Sequence, residues 1–129
     1  MTQNAGVALS QIGQIAINVR DLDRATAFYR DVLGMTFLFT VPAMAFFQCG
    51  DVRVMLGEME QPEHQHPASI VYYRVADIEV AHEALVARGV PFVQQPVMAH
   101  RDDRHELWLA FFHDSEENTV ALMSEKLVN

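Results

Sequence analysis

The chain has 129 residues, half of them hydrophobic and a fifth charged, with a formal charge of −8 at pH 7. That length suits one domain burying roughly two thirds of its unfolded surface, and the composition excludes disorder. No run of about 18 apolar residues predicts a membrane span, the acidic balance disfavours nucleic acid, and the lone Cys49 excludes an intrachain disulfide or a cysteine-rich zinc site.

No basic region followed by an apolar block opens the chain, so no signal peptide is expected. A reduced cytoplasmic protein is the expectation. The six glycines are scattered and form neither a dinucleotide fingerprint nor a P-loop.

The first periodic segment is Gln14 to Val19. Ile15, Ile17 and Val19 alternate with Gln14, Ala16 and Asn18, which predicts a strand covered on one face. Asp21 is a natural helix N-cap, and Leu22, Ala25, Phe28, Tyr29, Val32 and Leu33 form an apolar stripe ending at Gly34. Phe37, Phe46-Phe47 and Val52 to Leu56 open or form three further strands, with Cys49 just before a Gly50-Asp51 turn. Gln61 to Pro67, with two prolines and with His64 and His66, reads as a solvated linker.

After the linker, Val71, Tyr73 and Val75 share a covered face, and Ile70, Tyr72 and Arg74 the opposite one. Asp77 caps a second helix carrying Ile78, Ala81, Ala84 and Leu85, with His82 on its surface. That helix stops at Gly89 before Pro91. Phe92 opens another strand. Glu106 to Phe112 and Thr119 to Met123 are strands joined by the turn Asp114 to Asn118. Alternation in the first of these is read with Leu107, Leu109 and Phe111 under the helices, and Glu106 and Trp108 on the other face.

The two halves repeat. Val19-Arg20-Asp21-Leu22 corresponds to Val75-Ala76-Asp77-Ile78, and Val54-Met55-Leu56 to Val120-Ala121-Leu122. The helices differ by one residue in length. Each half reads strand, helix, three strands. This is an α+β single domain over 1–129, with module one at about 10–60, a linker at 61–67 and module two at about 68–125. Neither half alone can bury its sheet face, so the two are expected to share a curved sheet.

Gln14 to Leu22 with Ala27 to Met35, and Leu109 to Asp114 with Asn118 to Leu122, resemble the vicinal-oxygen-chelate superfamily. That superfamily includes glyoxalase I, extradiol dioxygenases, and bleomycin- and fosfomycin-resistance proteins. The resemblance spans roughly Ile12 to Ser124. It implies two βαβββ modules forming a cupped mixed sheet (the glyoxalase/bleomycin-resistance fold), often in a homodimer. In the metalloenzymes it also implies a divalent metal held by the first and last strands of each module. Carried over residue by residue, those four positions are Gln14, Met55, Ile70 and Ala121. Glutamine ligates metal in some glyoxalases. A thioether is a poor ligand for such ions, and Ile and Ala are none. The usual metal site therefore reads as lost, with no metal and no cofactor expected.

An apolar cup floor with a few converging polar groups is how small-molecule sites are built. The candidate ligand-binding set is Gln14, Asn18, Arg53, Met55, Ile70, Tyr72, Arg74, Trp108 and Ala121, with Arg53 and Arg74 able to receive a carboxylate or instead to pair with nearby acids. His100, His105 and Glu106, in a charged segment at the cup rim, are candidate acid–base groups or a displaced metal site. A solvated loop competes with that reading. Cys49 and His113 read as structural. Three functions stay open: a metal-independent binder of an apolar or aromatic small molecule, a lyase, isomerase or dioxygenase, and a structural or regulatory dimer.

Overall fold

The computed structural model describes residues 10–58 and 69–128. The linker 61–67, with His64 and His66, lies outside them. In chain order the elements are β1 (Gln14–Val19), α1 (Leu22–Ala27, continued by a π-helical turn Phe28–Val32), β2 (Thr36–Val41), β3 (Met44–Cys49), β4 (Val52–Glu58), β5 (Val71–Arg74), α2 (Ile78–Ala87), β6 (Phe92–Arg101), β7 (His105–His113) and β8 (Thr119–Leu127). Each half is βαβββ.

The strands divide into two four-stranded mixed sheets, ordered β1-β4-β3-β2 and β5-β8-β7-β6. In each sheet the first and last strands of the module lie parallel, with Ala16 opposite Met55 and Tyr72 opposite Ala121. The duplication read from the sequence is thus reproduced in the register.

The caps act as their residue types require. Asp21 accepts from the Arg24 amide at 3.0 Å, and Asp77 from the Glu79 and Val80 amides at 3.0 and 3.1 Å. Gly34 and Gly89 end the helices with φ of +73° and +86°, which a side chain would disfavour. The extra residue of the first helix is absorbed in the π turn, where the Leu33 amide donates to the Phe28 carbonyl five residues back at 3.0 Å.

That turn helps α1 serve both modules. Ala25 and Tyr29 are buried with Ile17, Val19, Phe47, Val54 and Leu56. Phe28, Val32 and Leu33 pack against the second core of Ile78, Leu85, Ala110, Phe112, Val120 and Leu122. Burying aliphatic and aromatic side chains of this size is worth about 1.5–3 kcal/mol each.

A polar clasp also joins the modules. Asp114, 5% exposed, accepts the buried Tyr29 hydroxyl at 2.8 Å and the Asn118 side chain at 3.0 Å, and that same amide donates to the Asn18 carbonyl at 3.0 Å. Next to it the Glu116 carboxylate accepts the Arg20 and Asp21 amides at 2.8 and 2.9 Å, two Arg24 nitrogens at 2.8 and 3.1 Å, and the Ser115 hydroxyl at 2.9 Å. Burial alone would raise the Glu116 pKa. The Arg24 fork and those donors outweigh it and hold the group at about 2.

Three expectations are corrected. Trp108, Ala110 and Phe112 belong to the helix-side core, so Glu106 and Trp108 face the helices and Leu107, Leu109 and Phe111 face the cup. The charged segment 98–106 is mostly strand, since β6 continues to Arg101 and β7 begins at His105. His82 is half-buried, its ring edge-on to Phe92 at 4.4 Å.

Candidate functional site

The faces turned away from the helices form the cup. Strand parity places Gln14, Ala16 and Asn18 there from β1, Arg53 and Met55 from β4, and Tyr72 and Arg74 from β5, with Ile70 just before that strand. β8 contributes Ala121 and β7 contributes Leu109 and Phe111. Where β1 and β5 approach, an open hollow of about 650 Å³ is lined by Ile12, Ala16, Asn18, Ile70 and Tyr72 among others. Asn18, Ile70 and Tyr72 of the candidate set therefore come together around one volume. Gln14, Arg53, Met55 and Arg74 stand on the same face outside that lining.

Ala121 and Trp108 leave the set of groups a ligand could touch. Strands two apart in a sheet are about 9.5 Å apart. The Tyr72 and Phe111 rings, on either side of Ala121, are only 5.9 Å apart. Both rings therefore lean inward over the alanine, which is 0% exposed. Trp108 lies on the other face, its indole N–H donating to Glu106 at 3.0 Å and the Lys126 ammonium 4.4 Å above its ring.

The aromatic content of the cup is greater than the candidate set implied. Phe39 and Phe46 stack at 4.8 Å, and the Arg53 guanidinium sits 5.8 Å from the Phe46 ring. Phe46 could have been found in the sequence, because adjacent residues Phe46 and Phe47 on a strand must face opposite ways. Phe39 could not, because the β2–β3 register shifts between Phe37 and Phe39.

Arg53 and Arg74 differ. Arg74 has Glu125 at 3.9 Å, both side chains well exposed. Arg53 has the ring of Phe46 instead.

The four positions that hold metal in the metalloenzymes sit at equivalent places in the two modules. Their chemistry does not fit a divalent ion: the Gln14 amide faces the Met55 thioether at 4.0 Å, and Ile70 and Ala121 offer no donor. Among the described residues no three His, Cys, Asp or Glu side chains converge as a metal site.

The second candidate group is divided by the register. His100 pairs with Leu107, and His105 shares that strand face, so both histidines are on the cup side at the β6–β7 hairpin. Glu106 pairs with Arg101 on the opposite face, their charged groups 3.8 Å apart. The hairpin tip is fixed by Asp102, which accepts the Arg104 and His105 amides at 2.8 Å each. Those two bonds hold its carboxyl below the usual range.

Residues 11–122 match the sequence model of the Glyoxalase/Bleomycin resistance protein/Dioxygenase superfamily. Crystal structures share the fold. A lactoylglutathione lyase from Agrobacterium tumefaciens is 24% identical, with TM-score 0.70 over 89% of this chain and 93% of that one. A glyoxalase/bleomycin resistance protein/dioxygenase from Nocardioides is 19% identical, with TM-score 0.75 over 93% and 86%. One so described from Alicyclobacillus acidocaldarius is 18% identical, with TM-score 0.71 over 88% and 90%. No curated protein matches the chain. No helix among the described residues is long and apolar enough to cross a membrane.

Proposed function

We propose that this chain, which belongs to the Glyoxalase/Bleomycin resistance protein/Dioxygenase superfamily, binds a small apolar or aromatic molecule in its cup without a metal. One observation carries the reading. The positions that chelate metal in the family's metalloenzymes hold Met55, Ile70 and Ala121 here, and the same face keeps large apolar groups in the open, with Phe39, Ile70 and Tyr72 each 44–46% exposed. An apolar surface rimmed by Gln14, Asn18 and Arg53 favours a flat ligand with one polar or anionic edge. A second copy of the chain is proposed to cover part of this apolar face in a homodimer.

The test is a thermal-shift panel of aromatic and acidic small molecules, with and without EDTA. Stabilisation by aromatic compounds, unaffected by EDTA, is the expected result. Strong stabilisation by divalent ions, reversed by EDTA, would refute the reading. Acid–base catalysis by His100 and His105 is the second reading, favoured by their common place on the cup face. If it holds, replacing both by Ala abolishes turnover while the fold persists.

A further inference from the structure

The two modules are related by duplication, but among the described residues the Tyr–Asp clasp has no counterpart on the other side. Tyr29 of α1 stands eight residues after its N-cap Asp21, and Leu85 stands eight after Asp77. Tyr29 meets Asp114, at the head of the five-residue turn joining β7 to β8. The equivalent turn in module one, between β3 and β4, is only Gly50-Asp51. Leu85 has no hydroxyl, and Cys49 stands where the second module turns into Asp114.

A clasp on that side is therefore missing its filler, and a hollow of about 430 Å³ remains. It lies on the helix side, away from the cup. Leu33 at the end of the first helix, Cys49 of β3, Tyr73 of β5, Ala81 and Leu85 of α2 and Arg88 at the C-cap of α2 are among the residues that line it. The wall is mostly apolar. The cation at its edge is Arg88, which is exposed, donates one N–H to the Val32 carbonyl at 2.7 Å and forms no ion pair among the described residues.

We infer that this hollow is a second small-molecule site, separate from the cup, which takes a compact amphipathic carboxylate with its apolar body between α1 and α2 and its anion on Arg88. Volume and lining favour an apolar body the size of one ring and a short chain. The guanidinium N–H groups not used on Val32 favour a carboxylate, which they can grip as paired donors. Bulk charge opposes anions, so the local Arg88 contact must supply the selectivity.

The test uses 4-phenylbutyrate and its primary amide, followed by amide chemical shifts of the isotopically labelled full chain. The acid is expected to shift residues 33–36, Cys49 and 84–88 saturably, with a midpoint of their own that is distinct from any shift of the cup residues Ala16 and Tyr72. The amide, and the acid on Arg88→Gln, should bind about fivefold more weakly, while Arg88→Lys, which keeps the charge and loses the fork, should recover only part of the affinity. Ala81→Leu pushes a larger side chain into the hollow from α2 and should weaken the saturable shifts several-fold, with circular dichroism confirming the fold of each variant. Shifts confined to the cup strands, or no saturable shift in folded wild type at millimolar acid, would overturn the site and leave the cup reading intact. Equal binding of acid and amide would overturn the carboxylate assignment.

Discussion

Replacing Glu116 by Gln tests the clasp that holds the two modules together. A carboxylate moved from 4.5 to about 2 by folding carries about 3 kcal/mol of linked stability. Its side chain is only 1% exposed, but its partner Arg24 is 53% exposed, and solvent screening there brings the expectation to about 2 kcal/mol. The sign follows from the depressed value. The contribution is complete above about pH 4.5 and drains away as pH falls through about 2. Urea unfolding of wild type and Glu116→Gln between pH 7 and pH 2.5 should show a gap of about 2 kcal/mol at neutrality that narrows steadily below about pH 4.5. Taking the difference cancels every other carboxylate in the chain. A gap that is constant with pH, or absent at pH 7, would refute the electrostatic account and leave Glu116 as a packing residue.

Other perturbations have equally definite outcomes. Tyr29→Phe removes one donor from a buried carboxylate and should cost about 1–3 kcal/mol in urea unfolding, with little change in the denaturant slope. Tyr73→Phe should be neutral or stabilising by up to about 1 kcal/mol, since its buried hydroxyl has no partner among the described residues to lose. The triple variant Met55→Glu, Ile70→His, Ala121→Glu, with Gln14 retained, should acquire a cobalt(II) absorption band and a divalent-dependent rise in melting temperature, both reversed by EDTA. Failure of a folded triple variant to bind any divalent ion would mean that the four positions do not converge or that the Tyr72 and Phe111 rings keep position 121 covered.

Much of the fold was legible because the duplication and the strand alternation agree. In β1 the polar residues Gln14 and Asn18 share one face and Ile15, Ile17 and Val19 the other, so Ile17 could be assigned to the core and Gln14 to the cup without coordinates. β7 has no such contrast. Leu107, Trp108, Leu109, Ala110, Phe111 and Phe112 are apolar on both faces, so periodicity cannot choose between them. Only pairing with β8 decides, and it puts Phe111 beside Ala121. β6 is worse: three register shifts along it defeat any count of alternating faces. The sealing of Ala121 was invisible for another reason, since it depends on two rings from strands distant in sequence leaning over one small residue. The unfilled hollow beside α2 is likewise an absence of side chains, which no motif announces.

The polar interactions that join the modules lie away from the cup. Tyr29–Asp114, Arg24–Glu116, Asn118–Asn18 and Arg88–Val32 sit at helix ends, turns and strand ends on the helix side. The four buried polar residues among the described ones, Thr26, Asp114, Glu116 and Ser124, lie in α1, in the β7–β8 turn and on the helix-facing side of β8. Among the described residues the cup-face polar contacts include a 4.0 Å amide–thioether approach and a 3.9 Å exposed ion pair, both weak, and a 2.7 Å bond from the Gln48 side chain to the Gly50 carbonyl, which is local to the β3–β4 turn. The polar contacts that join the modules and the proposed cup site thus lie on opposite faces of the same strands. Exchanging Gln14, Asn18 or Arg53 for Ala should then alter stability by no more than about 0.5 kcal/mol. The same exchanges should change ligand affinity. A cup substitution that unfolds the chain would mean this separation of duties is false.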